Sequence, residues 1–240
     1  MPDESSSAGR IDRAALERSL EQLREHGRGA ALEGALQQLL DAARILFHAT
    51  GTGLMFIDDG ATLRYVASTD RPGELLERTQ EQAGEGPCVD ALTFDRVVQS
   101  EDLARDDRWP ALLPEVPDAG VRAVLGVPVH LAGTAVASLN AYVDEPYSWE
   151  PSEAQALEAY AGLIENLLES ALQLRERGEL AQQLQHALDN RVTIERAVGL
   201  VMGRRDVDAV SAFNVLRRRA RDEGRKVVEV AEEVLAGRSI

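Results

Sequence analysis

The sequence predicts an α+β protein, in which a central antiparallel sheet with flanking helices is followed by a long helix and a small three-helix unit. Three observations predict this fold class. Short apolar runs bounded by turn residues alternate with helical stretches over residues 30–143, a helical seam begins at Pro151, and three shorter helical stretches occupy residues 187–235. The length of 240 residues is sufficient for two domains, each with a buried core.

Two amphipathic helices are predicted ahead of the first strand. Leu16, Leu20 and Leu23 lie at helical spacing between residues 10 and 26, and glycines end that stretch. We interpret residues 1–29 as an N-terminal helical extension. Residues 30–47 carry apolar side chains at the i, i+3, i+4 and i+7 positions of a helix that packs one face against a core.

The strands of the sheet are predicted from apolar runs at residues 52–58, 62–68, 96–99, 121–131 and 134–143. Asp58-Asp59-Gly60 and Ala132-Gly133 supply residue types that favour tight turns, so the first two and the last two runs are expected to form hairpins. Because the strands of a hairpin are antiparallel neighbours, the pattern predicts an antiparallel sheet with a helical middle segment.

A long helix is predicted to begin at Pro151, because apolar residues then recur at intervals of seven. The recurring positions are Leu157, Ile164 and Ala171 in one row and Tyr160, Leu167, Leu174, Ala181 and Leu188 in another. The helix either continues unbroken or is two helices joined near Gly178. Such a seam forms a dimerising signalling helix or packs on the protein's own sheet. Because it runs past the reach of the sheet, we favour a homodimer.

Composition excludes several classes of protein. No run approaches the roughly 20 apolar residues that a membrane-spanning helix needs, and the N-terminus lacks the layout of an export signal, so we expect a cytoplasmic protein without membrane contact. Cys88 is the single cysteine, which excludes an internal disulfide and a cysteine-pair metal site. The four histidines lack metal-ligand spacing, and we predict no metal site.

Charge is distributed unevenly along the chain, whose net charge is −15. Residues 1–182 contain 15 arginines against 32 acidic residues, whereas residues 183–240 contain 11 basic against 9 acidic residues. A local basic surface on an acidic protein can bind a polyanion, because the overall negative charge suppresses non-specific binding. The alternative is that these arginines form a solvated helix face.

Four motifs fall within residues 30–174. They are Gly84-Glu85-Gly86-Pro87-Cys88, Asp106-Asp107-Arg108-Trp109-Pro110, the run from Gly120 to Val129, and Ala137-Ser138-Leu139-Asn140. Together they resemble a GAF sensory domain. The resemblance implies a central antiparallel sheet with a pocket on one face, closed by loops of the 70–118 segment, and a regulatory role.

A ligand pocket in this domain has candidate lining residues, which are Tyr65, Cys88, Trp109, Leu125, Ser138, Asn140 and Tyr142. They either surround a small molecule or, for the apolar ones, fill a closed core. Cys88 has no histidine close in sequence, and a GAF domain that reduces methionine sulfoxide would need a second cysteine. We therefore predict a sensor of a small molecule or redox signal with no catalytic residue, and the sequence names no cofactor.

The last 60 residues carry three groups of residues at defined spacing. They are Arg191, Ile194, Ala197, Gly199 and Met202, then Ala212, Phe213, Leu216 and Arg217, then Lys226, Val230 and Ala231. This pattern resembles the ANTAR domain, the RNA-binding module of transcription antitermination regulators, over residues 180–236. Residues 175–240 are therefore interpreted as a linker helix and an ANTAR domain. Val198 departs from the family, which commonly has lysine there.

The RNA contacts are expected from residues that carry positive charge or allow close backbone approach. They are Arg191, Arg196, Ala197, Gly199, Arg204, Arg205, Arg217 and Lys226. The resemblance implies an antitermination regulator whose dimer binds paired hairpin loops in leader transcripts. The alternatives are an oligomerisation module without RNA binding and, less favoured because the sequence has no ATP-binding domain, a phosphotransfer protein using His186.

Overall fold

The computed structural model describes residues 11–26, 32–57, 63–112, 120–173 and 179–238. The helices are α1 (Arg13–His26), α2 (Leu32–Leu46), α3 (Arg71–Ala83), α4 (Pro87–Thr93), α5 (Pro151–Gln173), α6 (Glu179–Arg205), α7 (Ala209–Glu223) and α8 (Val227–Leu235). The strands are β1 (Gly51–Ile57), β2 (Leu63–Ser68), β3 (Val98–Ser100), β4 (Ala123–Leu131) and β5 (Thr134–Val143). The α+β fold predicted from the sequence is confirmed.

The five strands form one antiparallel sheet in the order β2-β1-β5-β4-β3. Both predicted hairpins exist as strand pairs, β1 with β2 and β4 with β5. At the second turn, Ala132 and Gly133 both have positive φ angles, 51° and 77°, which is the backbone of a tight hairpin turn. The Asp58-Asp59-Gly60 turn lies outside the described residues.

One face of the sheet is covered by α2 and α5, which bury a large apolar core. The N-terminal extension packs on these two helices, where Ser19 Oγ lies 2.6 Å from Tyr160 Oη. Leu157, Tyr160 and Ile164 are buried in this core, so the described first part of the heptad seam packs on the protein's own sheet. The side chains of Leu174 and Ala181 lie outside the described residues.

The opposite face of the sheet is covered by α3 and α4. Asp70 caps the first turn of α3, because its Oδ1 accepts a hydrogen bond from the Gly73 amide at 2.9 Å. Gly84 ends α3 in the left-handed conformation, with φ 64°. Three residues later Pro87 begins α4. The two helices therefore meet at a short connection over the sheet.

The C-terminal half of α6 packs with α7 and α8 around a separate apolar core. Its fully buried residues include Ala197, Val201, Leu216 and Ala231. Because α6 runs without a break from Glu179 to Arg205, the linker and the first helix of this three-helix unit are one helix. The position near Gly178, where a joint was expected, lies outside the described residues.

His130 joins β4 to two other parts of the domain. Its Nδ1 lies 2.8 Å from Glu165 Oε1 on α5, and its Nε2 lies 2.7 Å from Asp95 Oδ1 after α4. Partial burial opposes the charged ring, but the two carboxylates outweigh that cost and raise the pKa of His130. The charged histidine therefore stabilises this junction.

Replacing His130 by glutamine is expected to lower the free energy of unfolding by about 1 kcal/mol at pH 6, after allowance for solvent screening. The His130 pKa is raised in the folded state. Its contribution is therefore fully present below the unfolded value of about 6.5 and is lost as the pH rises through the folded value. Urea unfolding at pH 6 and pH 9 measures the difference. Equal destabilisation at both pH values would contradict the charge-based explanation.

Candidate functional sites

A cluster of buried polar side chains lies between α3 and the sheet. Asn140 Nδ2 donates to Glu77 Oε1 at 2.9 Å, and Ser138 Oγ donates to Asn140 Oδ1 at 2.6 Å. Gly53 of β1 makes room for the carboxyl, since a Cβ there would lie 2.5 Å from Glu77 Oε1. Burial raises the pKa of Glu77 to about 8. Glu77 Oε2 is buried and has no hydrogen-bond partner among the described residues.

Cys88 and Gln80 complete this cluster and connect α3 to α4. Gln80 Oε1 accepts a hydrogen bond from the Cys88 amide at 2.9 Å, and its Nε2 donates to Cys88 Sγ at the same distance. Burial, together with the nearby Glu77, raises the pKa of the Cys88 thiol well above its usual range. We call Glu77, Gln80, Cys88, Ser138 and Asn140 the pocket cluster.

Tyr142 extends this polar row toward the start of α3. Its hydroxyl donates to Asp70 Oδ1 and lies 3.2 Å from Ser68 Oγ. Burial raises the pKa of Tyr142, and the Asp70 carboxylate adds to the effect. The phenol is therefore neutral and acts as a hydrogen-bond donor.

The structure brings most of the predicted pocket residues together, with one exception. Cys88, Ser138, Asn140 and Tyr142 lie on the α3–α4 face of the sheet, and Trp109 joins the apolar cluster there. Leu125 points the other way and packs among α2 and α5. The reason is strand alternation: Gly126 pairs with Asn140, so Leu125 lies on the opposite face. The side chain of Tyr65 lies outside the described residues.

Trp109 closes one side of this face. Its Nε1 donates to Asp90 Oδ2 on α4 at 3.0 Å, and the guanidinium of Arg108 lies 4.2 Å from the centre of its ring. The indole is 2% exposed. Trp109 therefore packs as a wall between α4 and the following loop.

A basic surface lies on the C-terminal half of α6. Arg196, Gly199, Gly203, Arg204 and Arg205 are all exposed. Residues 196, 199 and 203 follow each other at intervals of three and four, so they lie on one side of the helix. A Cβ added at either glycine would meet nothing within 4 Å. We call these five residues the arginine face.

Other residues predicted to contact RNA occupy different places. Ala197 is fully buried in the three-helix core, so its side chain is a packing residue. Arg191 is 5% exposed and donates to main-chain carbonyls of α4. Arg217 is half-buried and faces the α3–α4 connection, whereas Lys226 is exposed at the start of α8. The residues predicted to contact RNA therefore lie in three different places: an exposed surface, the core of the three-helix unit and the contact between the two domains.

Two family models match the chain. A model of the GAF domain matches residues 29–169, and a model of the ANTAR domain matches residues 182–235. The chain is a GAF–ANTAR protein. Both domains are regulatory, which agrees with the sequence resemblance in each half. No curated protein matches the chain at a significant level.

Solved structures resemble the GAF domain in fold. One is a domain of a two-component sensor histidine kinase protein from Sinorhizobium meliloti 1021, with 19% identity, a TM-score of 0.52, and coverage of 62% of this chain and 100% of that one. The GAF domain of a phosphoenolpyruvate-protein phosphotransferase from Coxiella burnetii has 18% identity and a TM-score of 0.54, with coverage of 66% of this chain and 95% of that one. A free methionine-R-sulfoxide reductase from Neisseria meningitidis, in complex with its substrate, has 18% identity, a TM-score of 0.54 and coverage of 72% and 98%.

Three polar residues of the GAF domain were missed by sequence reasoning, namely Glu77, Gln80 and Asp70. The glycines of β1 were the available signal, because glycine inside a strand indicates close approach of another group. Gly53 indeed lies against Glu77. In the ANTAR domain Gly203 was missed, although it stands four residues after Gly199 and therefore on the same side of α6.

Neither a metal centre nor a membrane span is found in the described part of the chain. No group of three or more histidine, cysteine, aspartate or glutamate side chains there is arranged to hold a metal ion. Among the same residues, no helix has the length and apolarity to cross a membrane.

Cys88 in the folded GAF domain is expected to react with iodoacetamide at least about 100-fold more slowly than an exposed thiol. It is fully buried and its raised pKa keeps the reactive thiolate scarce. Mass spectrometry of alkylation at pH 8 measures the rate, and urea should restore it. The matched control is Ser152→Cys, which adds an exposed thiol at the start of α5. Comparable rates for both thiols in the folded protein would contradict this expectation.

Proposed function

We propose that this GAF–ANTAR protein is a signal-responsive regulator of transcription antitermination that binds RNA. The observation that carries the proposal is the arginine face on α6, where Arg196 lies on the same side of the helix as two exposed glycines and the exposed Arg204 and Arg205 follow in its last turn, within the ANTAR domain. Guanidinium groups bind phosphates with paired hydrogen bonds and stack on bases. Gly199 and Gly203 allow an RNA loop to approach the helix backbone.

The RNA partner is a leader transcript with paired hairpin loops, bound by an ANTAR dimer. Single-stranded loops are the parts of RNA whose bases are accessible to protein side chains. Two loops require two arginine faces, so the proposal includes a homodimer in the RNA complex. Binding holds the nascent transcript in its antiterminator form in the cytoplasm. The chain itself catalyses no reaction in this proposal.

The GAF domain senses a small molecule at the pocket cluster. Two observations support this role. Glu77 Oε2 is a buried polar atom without a partner, and its neighbours Asn140 and Ser138 supply further hydrogen-bonding groups. A redox signal is less well supported, because Cys88 is buried, lacks a second cysteine in the sequence and has a raised thiol pKa.

Titration of the full-length protein with a labelled two-hairpin RNA over a salt series tests the RNA function. Three to four phosphate contacts predict that log affinity falls against log salt concentration with a slope of about −3. A control RNA of equal length, with its loops closed by base pairing, is expected to bind more weakly. Analytical ultracentrifugation of the complex measures whether two protein chains bind each RNA. Binding that is insensitive to salt, or no binding at all, would contradict the proposal.

A further inference from the structure

Helices α6 and α7 of the ANTAR domain contact the C-terminal ends of α4 and α3 of the GAF domain. A cavity of about 210 Å³ remains at this boundary. Its GAF side includes Gly84, Val89 and Thr93, and its ANTAR side includes Arg191 and Arg217. The contact is made by the two GAF helices that also carry Glu77, Gln80 and Cys88 of the pocket cluster.

Arg191 is the most deeply buried cation of this contact. Its Nη2 donates to the carbonyl oxygens of Leu92 at 3.2 Å and Thr93 at 2.9 Å, at the C-terminal end of α4. Its Nε donates to Glu195 Oε1 at 3.0 Å. The last carbonyls of a helix lack partners within that helix and carry partial negative charge, so a cation there is favourable.

Arg221 makes the same kind of contact with α3. Its Nη2 donates to the carbonyl oxygen of Ala83 at 3.1 Å, the last residue of that helix. Arg217 lies one turn earlier on α7, close to Gly84, with the carboxylates of Glu85 and Asp90 as the nearby opposite charges. Each of the two GAF helices thus has an ANTAR arginine at its C-terminal end.

We propose that these contacts form an interdomain latch that weakens RNA binding by the ANTAR domain. It consists of Arg191 and Arg221 on the carbonyl ends of α4 and α3, together with Arg217 beside Gly84. This inference rests on the proposed RNA function. Two of the three, Arg191 and Arg217, are residues for which the ANTAR resemblance implies RNA contact. While they lie against the GAF domain they are unavailable to phosphate, and the GAF domain blocks access to that side of the three-helix unit.

The latch is connected to the pocket cluster through α3 and α4 themselves. Glu77 and Gln80 lie on α3, about two turns and one turn, respectively, before the carbonyl that Arg221 contacts. Cys88 lies at the start of α4, whose other end holds Arg191, and its amide is bonded to Gln80. A ligand that separates α3 from the sheet to reach Glu77 Oε2 therefore moves the carbonyls on which the arginines depend. Ligand binding and latch release are two consequences of the same helix movement.

Thr93→Arg in the full-length chain tests the latch from the GAF side without changing any ANTAR residue. The new guanidinium would lie beside Arg191 in the cavity, where the two positive charges repel each other and weaken the latch. Gln99→Arg is the matched control, because it adds the same charge at an exposed position of β3 outside this cavity. Hydrogen exchange at the ends of α3 and α4 and small-angle X-ray scattering measure opening, independently of RNA.

We expect faster exchange and a larger radius of gyration in Thr93→Arg, and RNA affinity about tenfold above that of the unaltered chain and of Gln99→Arg. Arg191→Leu provides a second route to opening, with the same changes in exchange and scattering but no gain in RNA affinity. Unchanged exchange and scattering in both variants would overturn the latch. If Thr93→Arg opens the contact and binds RNA with unchanged affinity, the latch does not inhibit RNA binding. Opening without RNA binding in any variant supports the latch and contradicts the proposed function instead.

Discussion

Replacing Arg196, Arg204 and Arg205 together by alanine is expected to weaken binding of the two-hairpin RNA by about 100- to 1,000-fold at low salt. Each arginine that contacts phosphate releases counterions on binding, so each loss costs about tenfold in affinity. The slope of log affinity against log salt concentration should become shallower by about 2 to 3. A filter-binding or fluorescence titration between about 50 and 300 mM salt measures both quantities.

The same three substitutions are expected to leave the fold intact. All three side chains are exposed on α6, and none belongs to the core of the three-helix unit. Alanine also has a high helix propensity, so the helix itself is not weakened. Circular dichroism and thermal unfolding check this directly.

A matched control removes three exposed arginines elsewhere. Arg13, Arg18 and Arg24 lie on α1, which packs on the GAF domain, and their replacement by alanine changes the net charge equally. If RNA binding depended only on overall charge, both triple variants would lose affinity to the same degree. That result would contradict a specific arginine face and favour a non-specific electrostatic contact.

The sheet could be predicted from the sequence because local signals define antiparallel hairpins. The Ala132-Gly133 turn fixes the pairing of β4 with β5, and an alternating strand pattern then places Ser138, Asn140 and Tyr142 on one face. The same alternation would have excluded Leu125 from that face once the register Gly126 to Asn140 was known. The register across the hairpin, rather than the residue types, was the missing information.

The role of Arg191 could not be predicted from the sequence. Helical spacing places it one turn before Ile194 and next to the core of the three-helix unit, and its charge indicates an RNA contact. Its burial depends on the main-chain carbonyls of Leu92 and Thr93, which are nearly 100 residues away in the chain. Carbonyl oxygens at a helix end are common to every helix, so no residue type indicates which end an arginine will contact.

The seam of the long helices was interpreted from its seven-residue period alone. That period does not distinguish packing against a second helix in a dimer from packing on the protein's own sheet. Leu157 and Ile164 face the sheet of their own domain, because a stripe at positions a and d also serves a helix that packs on a sheet. Leu188 contacts the same core from α6. A homodimer through the seam therefore remains a prediction for the part beyond α5.

Replacing Glu77 by glutamine is expected to remove a large pH dependence of stability. The folded state raises the pKa of Glu77 from 4.5 to about 8 because the carboxyl is fully buried. The unfolded chain therefore releases a proton that the folded protein retains, and the free energy of unfolding falls as the pH rises between these two values. Each pH unit contributes about 1.4 kcal/mol, so the loss between pH 5 and pH 8 is on the order of 3 kcal/mol.

Glutamine preserves the shape of the side chain and its amide oxygen accepts the hydrogen bond from Asn140, but it does not ionise. Glu77→Gln should therefore match the unaltered protein near pH 5 and exceed its stability near pH 8, measured by urea unfolding. Glu74→Gln on the same helix removes an exposed ion pair with Arg78, so its effect should stay below about 0.5 kcal/mol at either pH. Parallel stability curves for the unaltered protein and Glu77→Gln would mean that the buried carboxyl is charged and paired.

A neutral Glu77 also determines which ligand the proposed site at the pocket cluster would hold. The protonated carboxyl offers an O–H group, and Oε2 has no protein partner among the described residues, so a ligand with a hydrogen-bond acceptor would satisfy it. An anionic ligand would bind more weakly as the pH rises through about 8, because Glu77 then gains a negative charge. Glu77→Gln retains a donor at this position but has no charge to gain. Its ligand affinity should stay constant across that pH range, which isothermal titration calorimetry measures.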